Sequence, residues 1–382
     1  MTRQGFIVKK QIFMKLQIYI MLLLGGLTVC SCNYNEPELF PSNAEVDRVY
    51  TQLDTENPIA MNIYETYNSG VLFEYDRILD FAFIAASKNE TLIWDEIEIP
   101  QMKNIYSDTL GVVLPENEEA YKLHTQNAVA FIDSTLFRFF KPNSIISELM
   151  PYKVLLSDGV FCPRLLQGDI GNVLIESESR QRSSAIYDQR AIYNKHSIVF
   201  SVNPDVIGNS VQKYTRDNFY IMLSRIMDMH GLYGKIPPTF FDGKDEYYNK
   251  DIEMVYREEL GLGEEKRVDV IEKDWFFSKG FVDATYFYTN FGLRTYNQYY
   301  DEDNNRLPAP IRHTKAIRPG YEFISGRRKD VRSYINEMIH RNANELNAFP
   351  ENIKANIVLL RDELMSWGVD IVGINPALET LN

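Results

Sequence analysis

Cysteine and histidine are scarce in this chain of 382 residues, which holds three of the first and five of the second. His124, His196, His230, His313 and His340 stand no closer together than 27 residues, and none is followed by Glu. That spacing excludes a zinc helix carrying two imidazoles one turn apart. No Gly-x-Ser-x-Gly elbow is present to expose a nucleophilic serine. Gly261-Leu262-Gly263 lacks a preceding strand run and a third glycine, so it reads as a turn and not as a dinucleotide loop. Asp301-Glu302-Asp303-Asn304-Asn305 starts like a calcium loop, but Arg306 takes the obligatory glycine position and Arg312 that of the bidentate Glu. Basic residues are the minority, 40 Lys+Arg against 53 Asp+Glu for a net charge of −13, which argues against nucleic acid as a partner.

Long apolar runs are also missing. The longest, Leu16 to Val29, has 14 residues, too short for a stable bilayer span but the size of a signal-peptide core. Arg3, Lys9, Lys10 and Lys15 flank it with no acid, and either Met1 or Met14 can serve as the start. The run closes on Leu27-Thr28-Val29-Cys30-Ser31-Cys32, which resembles the bacterial lipoprotein signal, with Cys32 as the acylated N-terminus. Residues 1–31 are then the signal peptide, 32–50 a lipidated start and polar tether, and 51–382 a single domain with an insertion near 242–274. Removing residues 1–31 takes four basic groups and leaves a charge of −17. Anionic headgroups would repel such a surface, so palmitate-like acyl chains are the expected membrane contact. Cys162 alone remains as a free thiol, which rules out an intramolecular disulfide and suits a small buried hydrophobe.

Periodicity predicts a helix over Glu116 to Phe140 and strands at Tyr152–Leu156 and Ser197–Val202, the second ending in the turn signal Asn203-Pro204-Asp205. Thr215 is the expected cap of a central helix in which Phe219, Met222, Leu223, Ile226, Met227 and His230 recur at helical spacing before Gly231. Its polar side carries Ser224, Arg225 and Asp228. Residues 242–274 read as acidic surface with one helix around Ile252 to Leu260. Val331, Tyr334, Ile335, Met338 and Ile339 form one later stripe, and Ile353, Ile357, Leu360 and Leu364 another, predicting two helices packed on one core. The fold class is α+β with helix predominating.

Four pieces of this order carry a family resemblance: Cys32, the helix Phe219 to His230, the block Trp275-Phe276-Phe277-Ser278-Lys279-Gly280-Phe281-Val282, and the tail ending Trp367-Gly368-Val369-Asp370-Ile371. Together they resemble the zinc-binding metallopeptidase lipoproteins of Bacteroidetes, also described as substrate-import-associated zinc metallohydrolase lipoproteins. The resemblance implies a zincin-like scaffold, a lipid anchor, an outer-membrane location and a role beside nutrient-import machinery. It also implies a His-Glu-x-x-His zinc helix, which this chain does not have.

Where that motif belongs, the helix offers Ser224, Arg225 and Asp228, with His230 beyond and Glu337 as the counterpart of the family's downstream acid. No catalytic residue and no metal ligand is assigned; these five residues are expected to mark a remnant groove. The expected function is a catalytically inactive, metallopeptidase-like accessory binding protein of the cell envelope, with a glycan or peptide ligand and an outer-membrane import complex as partners. The alternative is a zinc-dependent metallohydrolase with rearranged ligands. Tyr299-Tyr300 and the Tyr286/Tyr288 pair about Phe287 are the aromatic candidates for ligand contact.

Overall fold

Apolar runs with no polar alternation need cover on both faces, and here they lie at the centre of a small sheet. The computed structural model describes residues 47–82, 97–162, 187–189, 191–195, 197–248, 250, 252–262, 271, 273–282, 292–300, 306–317 and 326–381. The chain divides into Met1–Arg48 and Val49–Asn382, and the second unit holds all the described strands. Cys32 and Tyr286–Tyr288 lie outside the described residues, as do the side chains of Cys162, Tyr299 and Tyr300.

The strands are β1 (Gly70–Leu72), β2 (Lys153–Ser157), β3 (Val160–Cys162), β4 (Tyr187–Gln189), β5 (Ala191–Tyr193), β6 (Ser197–Ser201), β7 (Gly292–Tyr300) and β8 (Arg306–Ile317). The main sheet has the order β1-β2-β6-β5. β1, β2 and β6 are parallel, with Val154 opposite Ile198 and Leu156 opposite Phe200. β5 returns antiparallel along the edge, placing Tyr193 opposite Ile198. β3–β4 and β7–β8 are separate antiparallel ribbons.

The helices are α1 (Arg48–Gln52), α2 (Pro58–Tyr67), α3 (Glu118–Thr135), α4 (Pro204–Ile207), α5 (Val211–Met229), α6 (Ile252–Glu259), α7 (Lys273–Ser278), α8 (Arg327–His340), α9 (Ala343–Asn347), α10 (Glu351–Trp367) and α11 (Ile371–Ile374). This is an α+β fold in which helices predominate over a small open sheet. No described helix is long and apolar enough to cross a membrane. Both C-terminal stripes go inward as expected: Val331, Tyr334, Ile335, Met338 and Ile339 on α8, and Ile353, Ile357, Leu360 and Leu364 on α10, are all buried. Each large apolar side chain so buried contributes about 1.5–3 kcal/mol before entropy is counted.

Several expectations need correction. α5 starts a turn earlier than Thr215, because the Ser210 hydroxyl accepts from the Lys213 amide at 3.2 Å and so caps the helix. Asn203-Pro204-Asp205 opens α4 instead of a simple turn: Asn203 accepts from the Asp205 amide and Pro204 sits where a missing N–H costs nothing. The helix expected to reach Phe140 breaks at Leu136 (φ −126, ψ −62) and continues as a 3-10 turn, Phe137–Phe139. Ser224 and Arg225, assigned to a polar side of α5, are buried.

The stretch from 242 is not wholly surface. Tyr247 joins Phe276 and Phe281 in a satellite core, and the side chain of Lys244 is 1% exposed. Its ammonium donates to Asp330 Oδ2 of α8 at 3.0 Å and lies 3.9 Å from the Phe240 ring centroid and 4.5 Å from that of Tyr334. The Tyr248 hydroxyl donates to the same carboxylate oxygen at 2.6 Å. Burial pushes the Asp330 carboxyl up and the Lys244 ammonium down, and each group opposes the shift of the other. Gly280, at φ +81, passes so close that a Cβ there would stand 2.8 Å from Lys244 Cε.

Candidate functional site

The edge strand and the end of α5 meet because the chain turns tightly between β5 and β6. Asn194 N–H donates to the Ser197 carbonyl, and the Asn194 side-chain oxygen accepts from the Ser197 amide, each at 3.0 Å. This turn places Tyr193 beside Asp228 and the Lys195 carbonyl beside Arg225, near the C-terminal end of α5. The helix stops at His230, and Gly231 follows at φ +63, a conformation that suits a residue without Cβ.

A pocket of about 490 Å³ opens there. Its lining combines Met150, Pro151, Tyr152 and Met229 with Lys195, Arg225, Asp228 and His230. Asp228 is already engaged. Tyr193 donates its hydroxyl to Oδ2 at 2.6 Å, and Arg328 of α8 approaches both oxygens, with Nη2 at 2.9 Å from Oδ2 and Nε at 2.8 Å from Oδ1. The Asp228 side chain is 1% exposed. Burial and the neighbouring Asp228 hold the Tyr193 and Tyr233 phenols well above their ordinary range. Burial acts against the Arg332 cation, but the surrounding Tyr220, Tyr233, Tyr193 and Asp228 more than offset it and raise its pKa.

Arg225 is built differently. The residue is 4% exposed, and among the described residues its Nη2 reaches only the Lys195 carbonyl, at 3.4 Å. Its Nε has no hydrogen-bond partner among the described residues. Burial lowers its pKa to about 10. Burial also lowers the pKa of His230, with Arg225 and Lys235 adding repulsion and a hydrogen bond to the Leu149 backbone opposing them.

Of the five residues expected in the groove, Arg225, Asp228 and His230 line this pocket. Ser224 is buried without lining it. Glu337 does not line it either: it pairs with Arg341, one turn along α8, which also contacts Glu345 at 2.9 Å. The groups that α8 sends towards Asp228 are Arg328 and Arg332, which the sequence did not single out. Tyr193, Lys195 and Tyr233 were missed as well, since a strand end and a short turn give no helical period to flag them.

The residues do not fit a zinc ion. Positions one turn apart on α5 hold Ser224 and Asp228, the latter bound by an arginine and a phenol, and Arg225 places a fixed cation between them. Among the described residues no three His, Cys, Asp or Glu side chains gather in metal-holding geometry. What the pocket offers chemically is hydrogen-bond donation and positive charge together with apolar side chains. Compared with known proteins, the chain matches no family model, no curated protein and no solved structure.

Proposed function

We propose that the protein is a lipid-anchored accessory binding protein of the cell envelope, built on a catalytically silent metallopeptidase-like scaffold and working beside outer-membrane nutrient import. The observation that carries this reading is the pocket at the end of α5, where a zincin-like enzyme would need metal ligands and this chain has Arg225 and an Asp228 tied to Arg328 and Tyr193. Those side chains can hold a ligand by hydrogen bonds and charge, and they do not make a metal site. The signal-like segment ending at Cys32 supports the anchor, and the acidic mature chain favours a lipid over direct headgroup contact.

Two measurements on the full chain purified from membranes test the reading. Elemental analysis is expected to give zinc far below one ion per chain; a tightly held single ion would favour the metallohydrolase alternative. Replacing Cys32 with Ser is expected to release the protein from the membrane fraction and abolish incorporation of labelled fatty acid. Full membrane retention of the Cys32→Ser protein, or an unlabelled wild type, would remove the anchor.

A further inference from the structure

We propose that the pocket at the end of α5 binds a carboxylate carried on an apolar body, with Arg225 as its buried counter-charge and Lys195 as a second cation at the rim. This deepens the binding role proposed above and rests on it. A guanidinium carries five N–H donors and is costly to remove from water unless an anion or several acceptors replace the solvent. Arg225 has a single long bond to a backbone carbonyl, a sealed Nε without an acceptor, and no carboxylate within ion-pair distance among the described residues.

Asp228 is three residues along the same helix and lines the same pocket, yet its two oxygens face Tyr193 and Arg328. Among the described residues the two pocket cations therefore have no carboxylate of their own, although the protein as a whole is strongly acidic.

The other half of the ligand follows from the rest of the lining. Met150, Pro151, Tyr152 and Met229 share the pocket with the cation and supply it with apolar and aromatic side chains. A fully hydrated anion such as inorganic phosphate gains nothing from that surface. A planar carboxylate matches the guanidinium fork, and an attached aromatic or branched aliphatic group matches the apolar lining. A free aromatic acid and the C-terminus of a short hydrophobic peptide share this chemistry, and about 490 Å³ accommodates either kind of group.

The test is calorimetric titration of the full-length lipidated protein in detergent with four probes: benzoate, N-acetyl-phenylalanine, N-acetyl-phenylalaninamide and inorganic phosphate. N-acetyl-phenylalanine is expected to bind one to one, and its uncharged amide about 10-fold or more weaker. Benzoate binding as well as N-acetyl-phenylalanine would assign the site to free aromatic acids, and the reverse ranking to peptide C-termini; both sustain the carboxylate. The Arg225→Met variant is expected to lose about 10-fold or more in affinity while its melting temperature stays level or rises, because the buried cation it removes has no anionic partner among the described residues. Lys195→Ala, at an exposed position, is expected to weaken binding about 3-fold without loss of folding.

Equal binding of acid and amide, unchanged binding by folded Arg225→Met, or tighter binding of phosphate than of either carboxylate would overturn the proposal. Zinc content measured on the same sample separates the two levels. Absent carboxylate binding with little zinc overturns this inference alone, whereas one tightly held zinc ion overturns the accessory-binding reading beneath it.

Discussion

Lys244 and Arg225 are two of the cations buried among the described residues, and the chain treats them in opposite ways. Lys244 is enclosed by the Phe240 and Tyr334 rings and has its anion, Asp330, at 3.0 Å. Arg225 is as deeply enclosed but among the described residues has only a carbonyl at 3.4 Å. The first arrangement is closed: charge, hydrogen bonds and rings are supplied from within, and a satellite core grows around it. The second is open on the side of a pocket. A buried charge paired within the described residues holds the fold together, and one without a paired anion there carries an uncompensated desolvation cost.

Removing one half of the closed pair is the harshest way to break the contrast. Lys244→Met should cost about 3–5 kcal/mol in urea unfolding, because it strands the Asp330 carboxylate in an apolar shell. Adding Asp330→Leu to it should recover much of that loss, and failure to recover would show that the rings alone, not the ion pair, hold α8 to this region. Asp228→Asn should cost about 1–3 kcal/mol, since Arg328 loses its carboxylate while the Tyr193 hydroxyl keeps an acceptor. Gly280→Ala should cost about 1–2 kcal/mol through its positive φ and the clash with Lys244 Cε.

Arg225→Met belongs at the opposite end, within about 1 kcal/mol of wild type in the absence of ligand. A loss comparable to that of Lys244→Met would erase the comparison. An exposed pair serves as the control. A backbone hydrogen bond from Asn342 and the Arg341 guanidinium hold the Glu345 carboxyl below its ordinary value. Its contribution is therefore complete above the unfolded value near 4.5 and fades as pH falls through the lower, folded one. Glu345→Gln should lower the neutral plateau of a stability–pH curve slightly, remove that part of the acid limb, and leave the value below the folded pKa unchanged.

Much of the scaffold was legible because local pattern and final burial coincide. Ile353, Ile357, Leu360 and Leu364 repeat at helical spacing and all go inward, and the runs in β2 and β6 are short, apolar and bounded by turn residues. The ribbon β7–β8 was not legible, because Pro308 and Pro310 argue against a strand. They are accommodated where the register shifts between Gln298, opposite Ile311, and Tyr300, opposite Arg306.

The site was half legible. α5 supplies Arg225 and Asp228 in one turn, but their burial depends on β5 and α8 closing around them. The bonds that define Asp228 span 35 residues to Tyr193 and 100 to Arg328, distances at which no periodicity speaks. The likeness to a zinc helix led to Glu337 as the groove's acid, whereas Arg328 is the α8 residue that reaches Asp228.

The first turn of α8 touches both regions: Arg328 faces Asp228 at the pocket, and Asp330, half a turn on, faces Lys244 in the satellite core. Neither region can open without drawing on the same few residues. In amide hydrogen exchange, the slow sites at the end of α5, in the first turns of α8 and around Tyr247 should therefore share one opening free energy, and a ligand seated against Arg225 should slow all three together, including amides on the far side of α8 that it never touches.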